Sequence, residues 1–183
     1  MAQAPPPEPP LPEPPLAAAE NAAREPPPAS LHGACVAIGG RGVLIRGPSG
    51  CGKSHLAFAL ILAGRAGILP ETRLVADDRV LVEPAQGRLL ARPAPALAGL
   101  LEVRGLGLRR LQPLAPVALA LLVDLAAPDA ERLPPSGRRA SLAGISLPRL
   151  ARGPGMDPLH AVIAHAVTAP GLDDEAAGDT LWI

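Results

Sequence analysis

An eight-residue segment constrains this chain more than any other feature. It reads Gly47-Pro48-Ser49-Gly50-Cys51-Gly52-Lys53-Ser54 and matches the pattern G-x-x-x-x-G-K-[ST] at every fixed position. Glycines let successive backbone N–H groups turn toward an anion without a clash from Cβ atoms. The N-terminus of the following helix offers further unpaired N–H groups to the same anion. The segment, here called the P-loop motif, therefore predicts a strand, a phosphate-binding loop and a helix in that order.

The basic and hydroxyl residues of the motif indicate a nucleoside triphosphate. Lys53 is the only lysine in a chain with 17 basic residues. Its ammonium group would reach the β- and γ-phosphates, and the Ser54 hydroxyl would ligate Mg²⁺. The alternative is a glycine-rich turn that matches by chance, but an apolar strand precedes the motif and a helical pattern follows it. Because no other lysine exists, the chain lacks the N-K-x-D segment with which GTPases read guanine.

Composition divides the chain into a central domain and two tails. At 183 residues it is long enough for one domain with a substantial core. Residues 1–30 hold 11 of the 25 prolines, and we predict that they form a disordered, proline-rich tail. We assign residues 31–168 to the P-loop domain and residues 169–183 to an acidic C-terminal tail.

The formal net charge of zero conceals an uneven distribution of charge. Residues 31–168 carry sixteen basic and nine acidic side chains, whereas both predicted tails are acidic. A basic domain suits a partner that carries phosphate or carboxylate groups, although a solvated, arginine-rich surface is the alternative. The chain contains no Tyr, one Phe (Phe58) and one Trp (Trp182). We therefore expect no nucleic-acid partner that binds by base stacking.

Three absences in the sequence favour a cytoplasmic protein. No stretch reaches the ~18 apolar residues that a membrane span requires, so we expect no membrane association. The first residues lack the basic start and the apolar run of a secretory signal. Cys35 and Cys51 do not form a disulfide framework, and their spacing does not suggest a zinc site.

Hydrophobic periodicity and turn residues predict an α/β domain with a mixed sheet. We expect a helix from Lys53 to about Ala66, ended by Gly67, and a late helix over 158–167. The predicted strands are 34–38, 43–46, 74–76 and 117–125, together with a hairpin formed by 80–83 and 89–91.

Asp77 and Asp78 are candidate catalytic residues because they follow the short apolar strand 74–76. The end of such a strand presents carboxylates at the phosphate edge of a sheet. One of the two could accept a proton as a general base. The alternative is that they only cap a turn before Val80, and the P-loop motif makes us favour a functional role.

A third candidate segment is Leu100-Leu101-Glu102-Val103-Arg104-Gly105-Leu106-Gly107-Leu108. We expect Glu102 and Arg104 on the same side of an extended segment, where the carboxylate would bind a metal and the guanidinium a phosphate. An ordinary connection from strand to loop, with a surface salt bridge, is the alternative.

Four segments together resemble the HPr kinase/phosphorylase family. They are His32-Gly33, the P-loop motif, LVADDRV at 74–80 and LEVRGLGL at 101–108, and the last resembles the family's signature loop. The resemblance covers roughly residues 31–150 and implies a short form with the catalytic domain only. It also implies a fold like the nucleotide-binding part of phosphoenolpyruvate carboxykinases, hexameric assembly, and ATP- and Mg²⁺-dependent phosphorylation of a serine of HPr. Many relatives also reverse this reaction by phosphorolysis.

The resemblance assigns roles to individual residues. His32 would help to position the phosphate that Lys53 holds, while Ser54 and Glu102 would ligate Mg²⁺. Asp77 is our first choice for the base and Asp78 the second. Arg132, in Glu131-Arg132-Leu133, is similar to a late active-site arginine of the family.

The sequence departs from the family pattern at one residue and in one segment. His55 follows the P-loop serine, where many relatives have an acidic residue. The stretch 147–154 matches poorly the P-x-x-P-G-R-N-type loop that the family associates with dephosphorylation. The sequence therefore predicts the forward kinase reaction more firmly than the phosphorylase reaction.

The sequence thus predicts a cytoplasmic serine protein kinase that acts on HPr or an HPr-like phosphocarrier of the phosphotransferase system. Two alternatives stay open. The same loop could serve a small-molecule kinase, or a non-catalytic nucleotide sensor whose proline-rich tail docks a partner. The Asp77-Asp78 pair and Glu102 disfavour the sensor, since a sensor needs neither a base nor a full set of metal ligands.

Overall fold

The computed structural model describes residues 28–114, 116–135 and 137–168, which form eleven strands and two α-helices. A short 3-10 helix spans Pro95–Leu97. The helices are α1 (Lys53–Arg65) and α2 (Pro158–Val167). The strands are β1 (Ala29–His32), β2 (Ala34–Ile38), β3 (Arg41–Arg46), β4 (Thr72–Ala76), β5 (Arg79–Ala85), β6 (Arg88–Pro93), β7 (Leu100–Val103), β8 (Gly107–Arg110), β9 (Val117–Leu125), β10 (Arg139–Leu142) and β11 (Ile145–Arg152).

Nine of these strands form one mixed sheet, which confirms the predicted α/β class. Its main order is β1-β5-β6-β9-β3-β2-β4, and β10 joins through β11. Strand β9 runs parallel to β3 along one edge. Along its other edge, β9 pairs first with β6, antiparallel, and then with β11, parallel. The carboxyl ends of β3, β9 and β11 therefore meet at one edge of the sheet, directly before the P-loop motif.

Strand β9 is apolar except for Asp124 near its end, because both faces of the sheet are covered. Leu121 and Val123 belong to a core cluster that also contains Leu56 and Leu60 of α1. Leu122 belongs to a second cluster on the other face. The predicted strand over 117–125 is confirmed at both ends.

Helix α1 begins directly after the loop and ends one residue before the predicted position. Gly52, with φ 98°, precedes the first helical residue. At the C-terminal end, the Gly67 N–H donates to the Gly64 carbonyl at 3.1 Å, and the Ile68 N–H donates to the Ala63 carbonyl at 3.0 Å. This is the Schellman pattern that a left-handed glycine permits, since Gly67 has φ 74°.

The predicted hairpin is confirmed as β5 and β6. Its two turn residues, Gln86 and Gly87, both have positive φ, at 49° and 73°. Such a turn matches the right-handed twist of the paired strands. The late helix is also confirmed, as α2, and its N-cap Asp157 accepts a hydrogen bond from the Leu159 N–H at 2.8 Å.

The structure corrects several predicted boundaries. Segment 100–108 contains the hairpin of β7 and β8, where we expected one extended segment. The hairpin β10–β11 was not predicted. Strand β1 begins at Ala29, two residues before the predicted start of the domain, while the remainder of the N-terminal tail and the tail 169–183 lie outside the described residues. None of the helices in the described ranges is long and apolar enough to cross a membrane.

Candidate active site

The P-loop motif connects β3 to α1, and Lys53 is folded over it. The Lys53 ammonium donates hydrogen bonds to the carbonyl oxygens of Gly47, at 3.1 Å, and Pro48, at 2.8 Å. The residue is only 7% exposed. Buried cations require such partners, because an unpaired charge away from water is costly. The loop therefore holds the one lysine of the chain against its own backbone.

Glycine is required at the first position of the loop. Gly47 has φ 145°, and a Cβ atom there would lie 2.7 Å from both the Cys51 sulfur and the Leu125 carbonyl oxygen. Such distances are shorter than any ordinary contact, so a side chain would displace the loop from the end of β9. Gly47 thus lets the backbone pass close to the sheet.

No side chain caps the N-terminus of α1, so the backbone N–H groups of its first turn are not taken up by a capping group. Gly52 at the N-cap provides no side-chain cap, and the first turn of α1 contains no acidic residue. Unpaired N–H groups and the helix dipole favour a bound anion at such a terminus. Local structure and charge at this end of α1 are therefore suited to phosphate.

Asp77 connects three segments of the site. It lies one residue beyond the end of β4 and is 5% exposed. Its Oδ1 accepts a hydrogen bond from the Ser54 hydroxyl at 2.8 Å, and its Oδ2 accepts one from the Glu102 backbone N–H at 3.0 Å. Both oxygens are thus oriented, one toward the start of α1 and the other toward β7.

Asp78 is exposed and faces His32 instead. Its Oδ1 lies 3.1 Å from the His32 Nδ1, and the two side chains are 63% and 53% exposed. Its backbone adopts φ 68°, a left-handed conformation that Asp tolerates better than most residues. The Gly33 N–H donates to the Asp78 carbonyl at 3.1 Å, which holds this turn in place. The turn separates the two carboxylates, so that Asp77 is buried and Asp78 is accessible.

The hairpin β7–β8 brings Glu102 and Arg104 to the same site. Glu102 lies on β7, and Arg104 lies in the turn that follows it. An Arg104 guanidinium nitrogen is 3.8 Å from the position that a Cβ of Gly50 would occupy. The guanidinium therefore lies over the tip of the P-loop motif, where it can meet a phosphate group.

A cleft of about 570 Å³ unites most of the predicted site residues. Those that line it are His32, Ser49, Gly50, Gly52, Lys53, Ser54, Asp77, Asp78, Glu102 and Arg104. Gly47, Pro48 and Cys51 belong to the same loop but do not line the cleft. Arg132 is exposed, in the connection between β9 and β10, and lies outside the lining.

Sequence reasoning missed six residues of the lining. They are His55, Phe58, Leu97, Leu100, Val103 and Leu108. Phe58 follows Ser54 by four positions, which places both on one face of α1. That spacing was available in the sequence, but an apolar residue at helical spacing reads as core. The other apolar positions carry no sequence signal that separates a cleft wall from a core strand.

A second missed feature lies beside the P-loop motif, at Asp124 near the end of β9. Arg46 donates to Asp124 from Nε at 2.7 Å and from a terminal nitrogen at 2.9 Å, and Arg149 donates from Nε at 2.6 Å. Burial opposes ionisation of this carboxyl, but the hydrogen bonds from the two arginines outweigh it and hold the pKa of Asp124 below its ordinary value. An acidic residue near the end of an apolar strand is a weak sequence signal for such a cluster.

Comparisons with known proteins identify relatives of this chain. Residues 26–114 match the family described as HPr Serine kinase C-terminal domain. This range contains every predicted site residue except Arg132. The HPr kinase/phosphorylase of Streptococcus thermophilus is 38% identical over 133 residues, covering 66% of this chain and 41% of the relative. The HPr kinase/phosphorylase of Clostridium beijerinckii is 44% identical over 82 residues, covering 45% of this chain and 25% of the relative.

A solved structure shares the fold. The structure described as the Hpr(Ser) kinase/phosphatase from Coxiella burnetii superimposes with a TM-score of 0.60 at 21% identity. The match covers 74% of this chain and 92% of that chain. The chain spans less than half the length of the two sequence relatives above, so their likeness concerns one part of each protein.

Proposed function

We propose that this chain, which contains a domain of the HPr serine kinase family, is an ATP-dependent protein serine kinase. Its acceptor would be HPr or an HPr-like phosphocarrier of the phosphotransferase system. The family match confirms the resemblance that the sequence motifs indicated. The observation that carries the proposal is the hydrogen bond from Ser54 to Asp77 at 2.8 Å. It sets a candidate base beside the motif that would hold the nucleotide phosphates.

Nucleotide binding would exchange the partners of Lys53. Its ammonium now bonds to two loop carbonyls, and it would turn toward the β- and γ-phosphates of ATP. The Arg104 guanidinium, over Gly50, would add a second positive charge to the same group. Both cations would neutralise charge that builds up on the transferred phosphoryl group.

The oxygen-rich part of the cleft fits Mg²⁺. A hydroxyl from Ser54 and a carboxylate from Glu102 are ligands of the type that magnesium prefers, and both residues line the cleft. In the described ranges, no cluster of three or more His, Cys, Asp and Glu side chains is arranged to hold a metal ion. Magnesium usually binds through one or two protein ligands plus phosphate oxygens and water, so Ser54 and Glu102 are sufficient protein ligands for it. The bound ion would neutralise charge on the phosphates.

Proton transfer from the acceptor serine would complete the reaction. A carboxylate takes the hydroxyl proton, the serine oxygen forms a bond to the γ-phosphorus, and the bond from that phosphorus to the β–γ bridging oxygen breaks to release ADP. Asp77 is our first choice for this base. Asp78, which is exposed beside His32, is the second.

The decisive test is phosphorylation of a carrier protein. The full chain is incubated with ATP, Mg²⁺ and an HPr-type protein, and phosphate is mapped by mass spectrometry. We expect phosphoserine on the carrier, and its loss in Lys53→Ala, because this lysine is the motif's one cation. ATP turnover with a small molecule but no protein acceptor would instead support a small-molecule kinase. ATP binding without any turnover would support a nucleotide sensor.

Three further parts of the proposal concern the location, the assembly and the reverse reaction. We place the protein in the cytoplasm, with its acceptor, and we propose that it assembles as a hexamer. Phosphorolysis is the reverse reaction, and the poor match of 147–154 to the family loop makes us expect little of it. Release of phosphate from phosphorylated carrier, with and without added inorganic phosphate, measures it, and sedimentation analysis measures the assembly.

A further inference from the structure

The side chain of Asp124 bridges two neighbouring strands at the edge of the sheet that leads into the P-loop motif. In the ladders of β9, Asp124 stands opposite Arg46 of β3 on one side and Ala151 of β11 on the other. Both oxygens of its carboxylate are engaged, with Arg46 bonded to both and Arg149 to one. The Asp124 and Arg149 side chains are each only 16% exposed. A guanidinium that bonds to both oxygens of a carboxylate fixes its orientation as well as its distance.

The same contacts continue into the connection between β9 and β10. Arg149 bonds to both oxygens of Asp129, at 2.6 and 3.1 Å. Arg138 donates to the Asp129 carbonyl at 2.8 Å and lies 3.5 Å from the Glu131 carboxylate. We call this set the Asp124 network; its members are Arg46, Asp124, Asp129, Glu131, Arg138 and Arg149. The network contains three positive and three negative groups.

One end of the Asp124 network adjoins the P-loop motif. Arg46 immediately precedes Gly47, and a Cβ at Gly47 would lie 2.7 Å from the carbonyl oxygen of Leu125. Residues 46 and 47 are therefore packed against residues 124 and 125. The ion pair fixes the strand end, and the glycine contact fixes the start of the loop. The other end of the network, at Glu131, directly precedes Arg132.

We propose that Asp124 is a positioning residue for phosphoryl transfer. It sets where the P-loop motif begins relative to the sheet, and through Arg149 and Asp129 it holds the connection that carries Arg132. This inference rests on the proposed function, since it assumes that ATP binds at the motif. Asp124 itself lies outside the cleft lining and acts through Arg46 and the loop. Small displacements of phosphate-binding groups reduce affinity and rate because those groups must meet the ligand in fixed geometry.

The test compares Asp124→Asn with a control variant of matched chemistry. Glu83→Gln also removes one carboxylate charge that pairs with an arginine, Arg92 at 3.6 Å, but on β5 and β6. The dissociation constant for Mg·ATP is measured by calorimetry, and the melting temperature is measured on the same samples. We expect Asp124→Asn to weaken ATP binding on the order of 10- to 100-fold. We expect Glu83→Gln to bind ATP as the wild type does.

A second variant covers the case in which Asp124→Asn does not fold. Arg149→Lys keeps the positive charge but cannot bond to Asp124 and to both oxygens of Asp129 at once. We expect weaker ATP binding for Arg149→Lys too, with a smaller loss than for Asp124→Asn. The ratio of ATP affinities is the readout because a role in stability alone would lower the melting temperature and leave the ATP affinity of the folded protein unchanged.

The outcomes separate this inference from the proposed function. A wild type that binds ATP, with folded Asp124→Asn and Arg149→Lys variants that bind it equally well, overturns the positioning role and leaves the proposed function intact. A wild type that binds no ATP overturns the proposed function and the positioning role together. Weaker binding in the two network variants, with unchanged binding in Glu83→Gln, supports the inference.

Discussion

At the scale of single residues, the site divides two neighbouring aspartates between two environments. Asp77 is buried and bonded to Ser54 and to the Glu102 backbone, whereas Asp78 is exposed beside His32. The left-handed backbone at Asp78 produces this difference. A conformation of this type costs on the order of 1–3 kcal/mol and persists where the surrounding structure holds it, often at functional sites. Here the Gly33 N–H holds it.

Replacement of each aspartate tests which one is the base. We expect Asp77→Asn to reduce phosphorylation of the carrier by on the order of 10²- to 10⁴-fold, because an amide cannot accept the serine proton. Its side-chain oxygen can still accept one of the two present hydrogen bonds, so ATP should still bind. The measurement is the single-turnover rate together with the dissociation constant for ATP.

Asp78→Asn is the matched control, since it makes the same change one residue later and Asn also tolerates a left-handed backbone. We expect a smaller loss of rate than in Asp77→Asn. The opposite ranking would assign the base to Asp78 and leave Asp77 as the residue that orients Ser54.

Which site residues could be predicted from sequence depends on how local their contacts are. The P-loop motif is visible because its eight positions are consecutive and its backbone demands select glycine. The Asp124 network is not visible in this way. Arg46 and Asp124 are 78 positions apart, and Arg149 follows Asp124 by 25. Only the register of β3, β9 and β11 brings these charges together, and no local pattern encodes that register.

At the scale of elements, two hairpins show why one was predicted and the other was not. Both have two-residue turns with positive φ at both positions: Gln86-Gly87 at 49° and 73°, and Ala143-Gly144 at 47° and 78°. The first follows Pro84 and lies between apolar runs, which signals a turn. The second begins with alanine, which rarely adopts positive φ, so its sequence gives little turn signal. The structure nevertheless pairs Leu142 with Ile145 across it.

The Ala143 turn should be improvable by one substitution. Asn enters the left-handed region at lower cost than alanine does and is favoured in turns of this type. We expect Ala143→Asn to raise the free energy of unfolding by about 0.5–1 kcal/mol, which is part of the roughly 1–2 kcal/mol that the left-handed conformation costs an ordinary L-residue. Urea unfolding, followed by circular dichroism, measures it as a higher midpoint with an unchanged slope.

Ala140→Asn serves as the control for this prediction. Ala140 lies within β10, opposite Leu147, and packs against the second core cluster. Asn is depleted in strands and would bring a polar group against apolar neighbours, so no gain is expected there. A midpoint that falls in Ala143→Asn would contradict the proposed strain at the turn.

At the scale of the whole molecule, β9 joins the parts of the fold that the site needs. It contacts three strands, contributes to both core clusters and ends beside the P-loop motif. Burial of its apolar residues in the two core clusters stabilises the sheet. Asp124, its one charged residue, is stable near the end of the strand because two arginines from neighbouring strands neutralise it. The packing of the sheet therefore depends on ionised carboxylates near the end of β9, and by our proposal the arrangement of the site depends on them too.

That dependence predicts a difference in acid stability. Hydrogen bonds from Arg149 lower the pKa of Asp129 to about 2, and the pKa of Asp124 is also lowered. A carboxyl whose pKa is lower in the folded than in the unfolded chain stabilises the fold above the unfolded value, which is about 3.9. This contribution is lost as the pH falls from about 4 toward the folded value of about 2.

We therefore compare the midpoint of urea unfolding from pH 7 to pH 2 in the wild type and in Asp129→Asn. Contributions of all other carboxyls are common to both proteins, so the wild type should be more stable at pH 7 and the two curves should converge below pH 4. Curves that stay parallel through this range would show that ionisation of Asp129 contributes nothing to the stability of the fold.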